Sequence, residues 1–273
     1  MLARSLKMAF WVTYDHLGKL IVASLIWVMP VALAGFLGWA ALSTGDTATQ
    51  VVAGIPALVL GFGVFLPVLS AGLAHMIKEL IDTRDGSLGA FFVGIRLYWR
   101  RAAALGCVYA AVSACLVTSA WFYATKLRGT APWLGYGIAG LAVWCLLFTL
   151  LTALLVIPAL VQKKGSAAET LKLTALLVLD NPFFTMGLAL QVIAVTAMAM
   201  VVAPVFFFLY GAVVLAMVSS AYEMLARKYA ALETGAQGPL ARKGGAAMTD
   251  DDADAKDDYL NRGVRDFLFP WKG

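Results

Sequence analysis

The sequence predicts an all-α polytopic membrane protein with six transmembrane helices and both termini in the cytoplasm. Of its 273 residues, 62% are hydrophobic and only 14% are charged. A soluble globular domain is about 45–50% apolar and about 25% charged, so these values exclude a water-soluble fold. The third observation is the placement of the charged residues, which stand between long apolar runs and not within them.

Six apolar runs are long enough to cross a membrane, because a bilayer core requires about 20 apolar residues per helix. The last two runs form one apolar stretch, residues 183–222, which is too long for one span and suits two. Pro204 marks the expected reversal, because proline cannot donate a backbone hydrogen bond. A single kinked helix is the alternative. The predicted spans are residues 20–42, 51–76, 102–125, 133–161, 183–203 and 204–222.

The basic residues predict how these spans are oriented. Of the 21 Lys and Arg residues, all but Lys126 and Arg128 fall in four segments: the N-terminal segment, those after spans two and four, and the C-terminal tail. Cytoplasmic segments of membrane proteins carry an excess of Lys and Arg. We therefore expect a multi-pass protein of the bacterial inner (plasma) membrane, in contact with the lipid bilayer, with cytoplasmic N and C termini.

Three of the cytoplasmic segments share one pattern, an amphipathic helix ahead of a pair of spans. These segments are residues 3–11, 91–101 and 169–177, and they predict three units of amphipathic helix plus membrane hairpin. Such helices lie in the membrane interface, with aromatic rings inward and cations toward the headgroups. We interpret them as membrane anchors, with lipid-headgroup or partner binding as the alternative. The expected membrane-interface residues are Trp11, Arg96, Trp99, Arg100 and Arg101.

The composition changes after the last span, and this change predicts three regions. Residues 1–228 form the six-helix membrane domain, and residues 229–249 read as a flexible linker rich in Gly and Ala. Residues 250–273 form a cytoplasmic tail that is first acidic and then aromatic. Apolar side chains at the end of a polar tail predict docking, either on this protein's own cytoplasmic face or on a partner. The expected docking residues are Val264, Phe267, Leu268, Phe269 and Trp271. The first three recur with Leu260 at helical spacing.

The predicted spans contain no Asp, Glu, Lys or Arg. Ion-driven transporters usually carry an ionisable side chain within the membrane, so this absence argues against a carboxylate relay and leaves a passive pore open. The pattern Gly-x-Gly-x-x-Gly at residues 135–140 begins a span, so we interpret it as a helix-packing surface and not as a nucleotide site. The two histidines, His16 and His75, lie in different segments. We predict no enzyme activity, no cofactor, no metal and no nucleic-acid partner.

Three stretches resemble the YesL-like family of bacterial integral membrane proteins. They are residues 26–30 (Ile-Trp-Val-Met-Pro), residues 67–76 (Pro-Val-Leu-Ser-Ala-Gly-Leu-Ala-His-Met) and residues 91–99 (Phe-Phe-Val-Gly-Ile-Arg-Leu-Tyr-Trp). The resemblance implies an integral membrane protein of a family without an established activity, whose members are often encoded beside carbohydrate uptake systems. It transfers no catalytic residue. The tail, residues 250–273, departs from the short members of that family.

The leading functional hypothesis is a non-enzymatic accessory or scaffold subunit of a bacterial membrane protein assembly. It would dock on a membrane protein partner through its cytoplasmic face and tail. The alternative is a transporter or channel component for an uncharged or lipid-like solute, which the prolines and glycines of span two suggest. A cavity within the membrane body would favour this alternative, and a closed core would argue against it.

Overall fold

The structure is a computed structural model that describes residues 1–84, 86–126, 132–163, 165–236 and 258–261. Within these residues the chain is helical, with short turns and no strand. The helices are α1 (Leu2–Asp15), α2 (Leu17–Leu42), α3 (Thr47–Thr83), α4 (Leu88–Thr125), α5 (Pro132–Gln162), α6 (Ala167–Asp180), α7 (Pro182–Val201), α8 (Ala203–Ala236) and α9 (Asp258–Asn261).

Among the described residues, six helices are long and apolar enough to cross a membrane: α2, α3, α4, α5, α7 and α8. The predicted all-α fold with six apolar helices is therefore confirmed. Two of these helices extend well past the C-terminal ends of their predicted spans. Helix α3 continues to Thr83, and α8 continues to Ala236, beyond the predicted end of the membrane domain at residue 228 and into the predicted linker.

The apolar stretch 183–222 forms two helices and not one kinked helix. Helix α7 ends at Val201, and the next residue, Val202, has φ of −109° and ψ of 79°, which are not helical. The two helices then run back along each other. Near the turn, the Thr196 and Tyr210 hydroxyl oxygens are 3.0 Å apart, and at the far end Asn181 Nδ2 donates to the Tyr229 hydroxyl at 2.7 Å. The reversal lies beside the predicted position, Pro204.

Helix α3 is irregular in its apolar half. It contains two π-helical segments, Gln50–Gly54 and Val59–Phe65, and an α-helical stretch with proline in its first turn follows each one. These prolines are Pro56 and Pro67. Because proline has no N–H group, the carbonyl group four residues earlier loses its usual donor, and the helix widens locally.

Helix α4 combines an amphipathic segment and a membrane span in one helix of 38 residues. The predicted segment 91–101 is therefore helical but is not a separate element. By contrast, α1 and α2 are separated at His16, and α6 and α7 at Asn181. Asn181 precedes Pro182, and the residue before a proline avoids the helical conformation. Residues 88–125 contain no proline, so α4 continues without a break from the amphipathic segment into the span.

Helix α8 is the central element of the fold. It contacts α1, α2, α3, α5 and α7. In its most apolar 18-residue stretch 67% of the residues are buried, compared with 11% in α4. Small residues make this position possible, since Ala212, Ala216 and Ala221 are fully buried. Helices with few buried residues, such as α4, lie at the periphery, where a bilayer would cover their apolar surface.

Helices α3 and α4 approach each other so closely that one contact position has no room for a side chain. A Cβ atom on Gly106 of α4 would lie 2.2 Å from the Gly63 carbonyl oxygen and 2.3 Å from Pro67 Cγ. Non-bonded carbon atoms pack at about 3.5–4.0 Å, so glycine alone fits there. Small residues permit this backbone-to-backbone packing of membrane helices.

Candidate functional site: an apolar cavity and a docked tail segment

A half-open cavity of about 490 Å³ lies between helices α2, α3, α4, α5 and α8. No charged side chain is among the described residues that line it. Its wall is mainly aliphatic and aromatic, and it includes Trp27, Phe62, Pro67, Tyr109, Ser113, Leu154 and Tyr210.

Polar groups in the cavity wall are largely paired with one another. Trp27 Nε1 donates a hydrogen bond to Ser70 Oγ at 2.9 Å, and the Tyr109 hydroxyl donates to Thr152 Oγ1 at 3.1 Å. The Tyr210 hydroxyl is similarly engaged with Thr196 on α7. Because these groups are satisfied internally, the space they surround presents mostly apolar surface.

Two close packings shape this cavity. At Gly106, α4 meets the π-helical segment Val59–Phe65 of α3, and Phe62 and Pro67 of α3 line the cavity wall nearby. On the opposite side, Trp27 lies on Gly211 of α8, where a Cβ atom would be 2.7 Å from Trp27 Cε3. Glycine at both places thus lets large rings border the cavity without filling it.

A short segment of the tail docks on the end of the bundle formed by α1 and α3. Tyr259 is 2% exposed and Leu260 is 8% exposed, and both belong to the buried core cluster. The Tyr259 hydroxyl donates to the Leu80 carbonyl at 3.5 Å, and Lys7 Nζ donates to the Leu260 carbonyl. Docking of this part of the tail therefore occurs within the chain.

The residue directly after α3 takes part in this docking. Arg84 has φ of 60°, in the left-handed region, and its guanidinium carbon lies 4.9 Å from the centre of the Tyr259 ring. This distance is within the range of a cation–π interaction.

The predicted docking residues Val264, Phe267, Leu268, Phe269 and Trp271 lie outside the described residues, as do residues 237–249 of the predicted linker.

The predicted membrane-interface residues divide into two groups. Arg96, Trp99, Arg100 and Arg101 are exposed on α4, and the Arg100 guanidinium carbon lies 5.2 Å from the Trp99 ring centre. Trp11 is only 4% exposed and packs in the core with other residues of α1. Its ring therefore contacts protein and is not presented to lipid.

A polar cluster that sequence reasoning missed joins the α6–α7 corner to α8. Lys228 Nζ donates to Asn181 Oδ1 at 2.6 Å, and the Tyr229 hydroxyl donates to the Asp180 carboxylate. The pair Asn181-Pro182 signals the corner, but nothing in the sequence pairs it with residues 228–229.

Elsewhere, His75 Nε2 is 3.6 Å from Glu79 Oε1. In the described part of the chain, no three His, Cys, Asp or Glu residues come together as metal ligands.

No protein-family model, curated protein or solved structure matches this chain. The resemblance to YesL-like membrane proteins stays a prediction.

Proposed function

We propose that the protein is a non-enzymatic membrane component that binds an uncharged, lipid-like molecule in its central cavity, as part of a transporter or channel for such solutes. We place it in the bacterial inner membrane with both termini in the cytoplasm. The uncharged cavity within the membrane body carries this proposal. It also favours the transporter or channel role, which the sequence suggested as the alternative, over the accessory role.

The chemistry of the cavity wall supports an uncharged ligand. An ionised group without a partner is strongly disfavoured in an apolar environment, and the wall offers no charged side chain to pair with it. The volume of about 490 Å³ is in the usual range of small-molecule sites, about 300–1,000 Å³. Ser113 on α4 is a polar group in the wall that could orient a hydroxyl or carbonyl of the ligand.

Filling the cavity tests this proposal. Ala110 lines the cavity, whereas its neighbour Ala111 is exposed on the outside of α4. The full chain, Ala110→Trp and Ala111→Trp are purified into lipid nanodiscs, and binding of the neutral probe Nile red is measured beside mass spectrometry of extracted neutral molecules. We expect Ala110→Trp to lose both signals and Ala111→Trp to keep them. Equal signals in all three proteins would contradict the proposal.

The docked tail segment supports a second candidate function, the accessory or scaffold role. The contacts of Tyr259 and Leu260 hold the chain at one point on the bundle surface, from which residues 262–273 continue. A tail that starts at a fixed point loses less conformational freedom on binding a membrane protein partner.

Photo-crosslinking in cells tests this second candidate. A photo-reactive residue at position 267 is introduced into the full chain, with and without Tyr259→Ala. We expect a defined crosslink to another membrane protein that weakens in the Tyr259→Ala background. Recovery of the chain without any crosslinked partner would exclude the accessory role.

A further inference from the structure

We infer that a second site, on the side of α6 that faces α8, binds an anionic phospholipid. Two spaces of about 330 Å³ and 520 Å³ border α6, and they share Lys163, Leu173 and Leu176 in their walls. They therefore form one cleft, here called the α6 cleft. None of its lining residues borders the central cavity, so this inference does not rest on the proposed function.

One part of the α6 cleft carries positive charge. Lys163 and Lys172 line it, and neither lysine forms an ion pair with another described residue. The acidic side chains beside them are already engaged. Glu169 Oε2 accepts from the Ser166 backbone N–H at 3.2 Å in the helix cap, and the Asp180 carboxylate accepts from Tyr229. The carboxylates keep their negative charge, so the part of the cleft lined by both lysines carries a net charge of +1, from two ammonium groups and the Glu169 carboxylate.

The rest of the α6 cleft is apolar. Leu173 and Leu176 form one wall on α6, and Tyr222 and Ala226 form the other on α8. Leu176 is 53% exposed, although it lies between two helices of a membrane protein. A hydrocarbon chain would cover this surface, and water would leave it unfavourably exposed.

These two features together select the ligand. An amphiphile with an anionic headgroup matches cations at one part of the cleft and leucine side chains along the rest. A bilayer supplies such a molecule beside α6 as an anionic phospholipid, whose phosphate two lysines can contact as point charges. Asp180 and Tyr229 line the other part of the cleft, where the Asp180 carboxylate disfavours an anion.

Lipid selectivity of the full chain tests the inference. The protein is exchanged into nanodiscs of mixed phosphatidylglycerol and phosphatidylcholine, and retained lipids are counted by native mass spectrometry. The test variant is Lys163→Gln with Lys172→Gln, and the matched control is Lys19→Gln with Lys78→Gln, which also removes two predicted cytoplasmic cations. Each lysine lost from the cleft is expected to reduce the preference for phosphatidylglycerol about fivefold.

Two further arms identify the source of the anion and the role of the chain. Glycerol phosphate, which has the headgroup chemistry without acyl chains, is added to the protein in detergent and should not displace phosphatidylglycerol. Leu176→Trp fills the apolar wall and should release the lipid with both lysines present. Equal losses in the two lysine pairs, or displacement by glycerol phosphate, would overturn the inference.

Discussion

The guanidinium of Arg84 lies over the ring of Tyr259, with 4.9 Å between the guanidinium carbon and the ring centre. These residues are far apart in sequence: Arg84 lies directly after α3, and Tyr259 lies within α9. The contact links the tail to the membrane body. Substitution of either residue therefore tests how the tail is held on the membrane body.

Removal of the Tyr259 ring should release the docked segment. Tyr259→Ala loses the buried aromatic surface and the cation–π contact, which is worth about 0.5–2 kcal/mol. We expect limited proteolysis to cut residues 250–273 faster in this variant, with unchanged membrane insertion. Tyr259→Phe is the control, because it keeps the ring and removes the hydroxyl that donates to the Leu80 carbonyl. Equal cleavage of the Ala and Phe variants would show that the ring does not hold the tail.

Arg84→Gly should separate the backbone strain at position 84 from the contribution of the guanidinium to tail docking. The left-handed φ of 60° costs a non-glycine residue about 1 kcal/mol, and glycine adopts it freely. We expect Arg84→Gly to leave the thermal stability of the membrane body unchanged or raised, while tail cleavage becomes faster. Arg84→Lys keeps a cation and should preserve docking better. A stable tail in Arg84→Gly would mean that the guanidinium contributes nothing to docking.

The α3–α4 crossing should not tolerate even one added methyl group. In Gly106→Ala the new Cβ meets the Gly63 carbonyl at 2.2 Å, so the helices must separate. We expect a loss of about 1–3 kcal/mol in unfolding free energy, as for other overpacked cores. Gly137→Ala on α5 is the control, because nothing lies within 4 Å of its Cβ position. Thermal unfolding in detergent distinguishes the two, and similar melting temperatures would refute the crossing geometry.

Acid should loosen the start of α3. The pKa of the Asp46 carboxyl is held below its ordinary value, first by the Thr49 hydroxyl and then by the backbone N–H groups of Thr49 and Ala48. A lowered native-state pKa stabilises the fold above the unfolded-state pKa of about 4, and this contribution disappears as pH falls through the native value.

Hydrogen exchange at the first residues of α3 measures this effect. We expect a lower protection factor, the intrinsic exchange rate divided by the observed rate, near pH 3 than at pH 6 in the unmodified chain. Asp46→Asn keeps an oxygen that caps the helix but does not titrate, so its exchange should show a smaller change of protection between the two pH values. The same pH dependence in both proteins would rule out Asp46 as its origin.

The number and approximate position of the apolar helices followed from the sequence because membrane spans depend on local composition. The burial of Trp11 did not, since periodicity marks an apolar face without showing whether protein or lipid covers it. The continuity of α4 was also missed, although the absence of a helix breaker after Arg101 was a readable signal. The central cavity depends on where Gly106 and Gly211 meet other helices, and that is a property of the assembled bundle.

The single helix α4 has a mechanical consequence. Its 38 residues, at 1.5 Å each, form a rod about 57 Å long, whereas a hydrocarbon core is about 30 Å thick. The rod therefore extends well beyond one side of such a core, and it is pressed against α3 at Gly106 near its middle. A rigid tilt of α4 about this contact would move its two ends, at Leu88 and Thr125, in opposite directions.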